Sequence, residues 1–121
     1  MKLQFDGQQL RVRIDEEELA VLLRGDAVDA ATHAGDAFTL HCTLQLHAQA
    51  EARMDGPAER CQLHLPEQAV RELASRLPTR DGLQFALPGA TPANTLALLF
   101  DVDVRDSARR LKAARHAAPK P

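Results

Sequence analysis

The chain predicts an α+β fold built from two ββαββ units with an approximate two-fold, their strands forming a mainly antiparallel, strongly curled sheet or half-barrel of about eight strands carrying two helices. Three observations predict it. Residues 10–24, LRVRIDEEELAVLLR, switch from a period of 2 to a period of 3.6. Residues 61–77 make the same switch 51 residues later, Ile14 corresponding to Leu65 and Leu19 to Val70. Each stretch follows an Asp-Gly pair and precedes two apolar runs separated by a Gly-containing turn.

In chain order, residues 2–5 alternate and end in Asp6-Gly7, a strong short-range hairpin signal. Leu10, Val12 and Ile14 alternate with Arg11 and Arg13, as in a half-buried strand. Leu19, Leu22 and Leu23 then take helical spacing, and Asp15 with Glu18 reads as a capping box. The acidic run 15–18 suits the positive end of a helix dipole; as a metal or acid–base cluster it fails, because four consecutive residues point in four directions. Residues 27–33 and 38–46, around Gly35-Asp36, give two more strands. In the second half, residues 50–54 lead to Asp55-Gly56, Cys61, Leu63 and Leu65 alternate, and Pro66 opens a helix bearing Val70, Leu73, Ala74 and Leu77. Residues 83–87, the loop LPGATPANT and the run LALLFDVDV complete the unit. That final run is continuously apolar before Asp101, which predicts a central strand, buried on both faces at its start and on one at its end.

Residues 1–104 read as a single domain, repeat one being 1–47 and repeat two 48–104, large enough to fold without staples. They carry 9 Lys and Arg against 16 Asp and Glu, whereas residues 105–121 carry six basic side chains against Asp106 alone. This basic tail has helix-forming composition but one large apolar residue, Leu111, which predicts a pendant helix or a disordered segment. With four Phe and no Trp or Tyr, the chain lacks the anchors of base stacking. Six basic groups without aromatics give only weak, salt-sensitive affinity, so specific nucleic-acid binding is not expected. No run approaches the roughly 20 apolar residues that span a bilayer, and the N-terminus is polar where a signal peptide needs an apolar core. These features predict a soluble cytoplasmic protein with no membrane contact, and the excess of Ala and Arg over Ile and Lys fits a bacterial genome rich in G and C.

Arg11 and Arg13 project from one strand face, with Lys2 and Gln4 beside them. Such a row binds an anion or phosphate, or forms a solvated face paired with neighbouring carboxylates. Asp101 and Asp103 share a face, as a cation site or a solvated strand end. His41, His47 and His64 lie on polar strand faces and would form a two-imidazole metal site if their strands were neighbours, although no HxH, HxxxH or CxxC spacing accompanies them. Cys42 and Cys61 lie on apolar faces and read as buried free thiols; a disulfide would need adjacent strands and an oxidising compartment. His41 and Cys42 cannot form a nucleophilic pair, since neighbours along a strand point to opposite faces. No nucleotide loop or cofactor motif is present, and no cofactor is implied.

The opening MKL and LRVRI, the Glu-rich helix start with ELAVLL, Gly25 and the closing LALLFDVDV resemble a family of small, uncharacterised bacterial proteins known only as a domain of unknown function. The resemblance spans residues 1 to about 104. It implies a shared architecture, with the family's Arg pair at Arg11 and Arg13 and its late acidic residues at Asp101 and Asp103, and it implies no activity. Members carry a cysteine near the end of the last strand, which this chain lacks; that departure speaks against a thiol-based role.

Two functions follow from these features. The first is a non-catalytic cytoplasmic interaction module that binds a protein partner or itself as a homodimer. The alternative is a small-ligand or anion-binding curled sheet or barrel, or an enzyme, using the Arg11/Arg13 face with Asp101, Asp103 or the histidines. A ligand site requires the arginines and the late acidic pair to converge in one pocket, whereas a scaffold leaves them on an open face.

Overall fold

Local signals set each half. β1 (Lys2–Asp6) and β2 (Gln9–Ile14) are joined by Gly7 and Gln8, and Gly7 takes a φ of +56°, the left-handed conformation that tight hairpin turns require. β2 runs straight into α1 (Glu16–Leu23). The Asp15 carboxylate accepts from the Glu18 N–H at 2.7 Å while the Glu18 side chain accepts from the Asp15 N–H at 3.1 Å, the expected capping box. A second hairpin, β3 (Val28–Ala34) and β4 (Phe38–His47), completes the first ββαββ unit. The other half repeats the order: β5 (Arg53–Asp55), a short 3-10 turn at Ala58–Arg60, β6 (Cys61–Pro66), α2 (Glu67–Ser75), β7 (Leu83–Leu87), a second 3-10 turn at Pro92–Asn94, and β8 (Leu96–Val102). Pro66 stands at the N-cap of α2 and gives the start by its fixed φ, with no side-chain bond. This computed structural model describes residues 1–104, and the tail 105–121 lies outside the described residues.

The class is α+β, but the strands do not form one curled sheet or half-barrel. They divide into two four-stranded mixed sheets, neither closed: β1-β2-β8-β7, called sheet A, and β3-β4-β6-β5, called sheet B. Each sheet contains one hairpin from each half, and the two meet along a parallel pair, β2 with β8 and β4 with β6. Exchanging each element for its counterpart in the other half (β1 for β5, β2 for β6, β3 for β7, β4 for β8) maps sheet A onto sheet B. The physical reason for two sheets lies in these parallel seams: each is a non-local choice of partner, on which strand periodicity is silent.

The apolar face of each sheet and the stripes of both helices meet in one core, with Leu10, Val12, Ile14, Leu98 and Phe100 from sheet A, Leu44, Leu63 and Leu65 from sheet B, Leu19 and Leu22 from α1, and Val70 and Leu73 from α2. α1 packs on β3 and β4, α2 on β4, β6 and β7, and Arg71 ties the helices by donating to the Leu23 carbonyl at 2.8 Å. β8 is central, as expected, but its burial runs the opposite way: Ala97 is exposed, whereas Phe100, Asp101 and Val102 are buried. The start of β8 borders an open groove on one side, and its end sinks between β2 and the chain entering β7. Gly82 makes that entry possible; a Cβ there would lie 2.6 Å from the Phe100 carbonyl oxygen.

Phe100 is 0% exposed and Phe38 60% exposed. Phe100→Ala is therefore expected to cost about 3–5 kcal/mol of stability in urea unfolding, and Phe38→Ala less than about 0.5 kcal/mol.

Candidate functional site

On the outward face of sheet A the registers align three rows of side chains. Lys2, Arg13 and Asp101 form one, Gln4, Arg11, Leu99 and Gln84 the next, and Asp6, Gln9, Ala97 and Ala86 the third. The structure thus brings Arg11, Arg13 and Asp101 together. Arg11 donates from Nε and Nη2 to one oxygen of Asp101, Oδ2, at 3.2 and 2.6 Å. Arg13 Nε faces the other oxygen, Oδ1, at 3.4 Å, an ion pair without a hydrogen bond, and both of those atoms are buried. Asp101, at 7% exposure, is the buried acidic anchor of two half-buried guanidinium groups, not the end of a solvated strand. Asp103 holds the end of the seam through its backbone, its N–H donating to the Ile14 carbonyl at 2.7 Å.

The second and third rows line an open groove of about 580 Å³. Its walls carry the amides of Gln4, Gln8, Gln9 and Gln84 with Arg11, and its floor is the small or apolar Ala86, Ala97 and Leu99. Two of the five N–H groups of Arg11 are spent on Asp101, so its guanidinium is oriented by the carboxylate, and Arg11 is one of the residues that line the groove. Sequence reading missed Gln84 and Thr95, because their place in the groove depends on β7 and β8 lying beside β2. The alternation of Gln4, Gln9 and Arg11 was the available signal.

The outward face of sheet B gathers His33, His41, His47 and His64. His47 and His64 stack, ring centroids 5.4 Å apart and 20° from parallel, and His47 Nε2 donates to the Glu51 carbonyl at 2.6 Å. His41 lies six residues further back on β4, against Asp29 at 3.2 Å. The strands are neighbours as the two-imidazole idea required, yet among the described residues no group of three or more His, Cys, Asp or Glu could hold a metal.

Cys42 and Cys61 are opposite each other on β4 and β6 and are both free and buried. Burial, followed by the neighbouring Cys61, pushes the Cys42 thiol up from 9.0 to about 12, and burial raises Cys61 as well. A thiol held this far from ionisation is a poor nucleophile. No helix of the described residues is long and apolar enough to cross a membrane. A scan against models of known protein families finds no match, and a search of curated proteins finds none either.

Two outcomes follow. Asp101→Asn removes the anchor and leaves two guanidinium groups side by side; it should cost about 1–2 kcal/mol in urea unfolding, the deficit shrinking at high salt as the repulsion is screened. Because the folded Cys42 keeps its proton where the unfolded thiol loses it, its contribution to stability is complete below about pH 9 and falls as pH rises toward 12. The urea midpoint should therefore drop above pH 9, and Cys42→Ala should flatten that drop.

Proposed function

We propose that the protein is a non-catalytic binding module whose recognition surface is the outward face of sheet A, and that it takes a small ligand bearing a carboxylate or phosphate group. The observation that carries this reading is Arg11, buttressed by Asp101 and placed in the wall of the polar groove. A planar fork fixed in advance loses little freedom on meeting an anion, and that pre-organisation separates a binding arginine from a solvated one. Charge is compatible with the reading: the face sets Lys2, Arg11 and Arg13 against Asp6, Asp101 and, just past the end of β8, Asp103, a balance of charge on a body whose first 104 residues are strongly acidic. Such a body repels large polyanions at a distance, whereas a small anion meets Arg11 at close range. The groove's polar side chains are amides, hydroxyl and guanidinium, which bind and orient; its single carboxylate, Asp6, lacks the partner that paired acid–base chemistry needs.

A thermal-shift series with inorganic phosphate and with citrate tests the proposal. Binding to the native state at about 100 times Kd adds about 2.7 kcal/mol, a midpoint rise of several degrees. Arg11→Ala should abolish the rise for the anion that produces it. No rise with either anion, or an undiminished rise in Arg11→Ala, would overturn the proposal.

A further inference from the structure

Sheet A ends at β1, an edge strand with β2 on one side only. Which of its backbone groups face the open edge follows from the hairpin. Asp6 and Gln9 are register partners across the two-residue turn Gly7-Gln8, so they are the hydrogen-bonded pair that closes it. The alternation of an antiparallel ladder then gives the N–H and C=O of Gln4 and Lys2 to β2, and turns those of Leu3 and Phe5 toward the open edge. The side chains divide in the same way. Leu3 and Phe5 lie on the core face, as register partners of Val12 and Leu10, while Lys2, Gln4 and Asp6 lie on the outward face. Phe5 is 51% exposed although Leu10 beside it is buried. Neither Lys2 nor Asp6 makes an ion pair or a side-chain hydrogen bond with another described residue. The remaining edges offer less: β5 has three residues, Asp29 on β3 is taken up by His41 and Thr43, and β7 carries no charge.

We propose that β1 is the strand through which this chain binds a second copy of itself: two β1 strands pair antiparallel about a two-fold axis at Gln4, joining two A sheets into one continuous sheet. This register sets Lys2 opposite the partner's Asp6, Leu3 opposite the partner's Phe5, and Gln4 opposite the partner's Gln4. Leu3 and Phe5, whose backbone groups face the edge, become the hydrogen-bonded pairs, so each edge N–H finds a carbonyl. A shift by one residue would oppose an edge-facing residue to one already bonded to β2, and a shift by two would part the charges. Phe5 gains the cover of the partner's Leu3, and the apolar row of Leu10 and Phe5 continues across the axis. A lysine on an edge strand ordinarily blocks pairing; here it admits only a strand that brings a carboxylate to the matching place, and a second copy does. An edge this short makes a small interface, which puts the dimer in the weak class below about 1,200 Å².

Sedimentation of the full chain from about 10 μM to about 1 mM tests the proposal, and the wild-type mass should rise toward that of a dimer. Lys2→Glu or Asp6→Lys sets like charges opposite each other at two places at once, and each should weaken association at least about tenfold. Combining Lys2→Glu with Asp6→Lys restores opposite charges and should return the affinity to within about threefold of wild type. In the wild type, amide hydrogen exchange read residue by residue should show the Leu3 and Phe5 N–H groups gaining protection as concentration rises, with Gln4 unchanged. The proposal is overturned by a chain that stays monomeric at about 1 mM, by single variants that associate as wild type does, or by a folded double variant as weak as the singles. A dimer in which the Leu3 and Phe5 amides gain no protection also overturns it, because the contact then lies on another surface.

Discussion

Everything in this molecule depends on two parallel seams, β2 against β8 and β4 against β6. Hairpins assemble each half locally, but a hairpin alone is marginal and exposes its apolar face. Only when the hairpin of one half lies beside that of the other does a four-stranded sheet exist to cover the core. Each seam supplies the inner two strands of its sheet, and most of the fully buried side chains, among them Leu10, Val12, Leu98 and Phe100 in one and Leu44, Leu63 and Leu65 in the other, lie on them, with Leu22, Val70 and Leu73 added by the helices. Residues 9 and 97 are register partners, so the seam of sheet A closes only after almost the whole described chain has been placed. Such long-range pairing makes folding slow relative to helical domains of this size.

The same seams create the chemistry. Arg13 faces Asp101 across one and Cys42 faces Cys61 across the other, and neither pair is close in sequence. A carboxylate buried on β8 needs cationic neighbours, and the outward alternation of β2 supplies two of them at the right rows. Buried charge and pre-organised binding are here one arrangement: Asp101 is tolerated because the arginines neutralise it, and Arg11 is aimed because Asp101 holds it.

Much of this was legible in the sequence. The change of period at Asp15, the Asp-Gly turns and the recurrence at Pro66 correspond to capping, hairpins and a second helix, all of which depend on neighbours a few residues away. Arg11 with Arg13 also showed a shared face, because strand geometry fixes which side chains alternate. What could not be read was partner choice. The apolar run of residues 96–100 announced a central strand without saying that β2 would be its parallel neighbour, so Asp101 looked like a solvated end and the glutamines of β1, β2 and β7 could not be assembled into a groove. His47 and His64 likewise had the right faces, but only the seam shows that they stack and that His41 is left behind against Asp29.

The exchange of sheets between halves carries a consequence for how such a chain can be divided. A cut near residue 48 would give two pieces of equal topology, neither holding a complete sheet, because each piece owns one hairpin of sheet A and one of sheet B. Each piece is thus the complement of the other. The fold is in effect a dimer of half-length ββαββ chains fused end to end, in which the linker has turned an intermolecular association into an intramolecular one and raised the effective concentration of each half for the other.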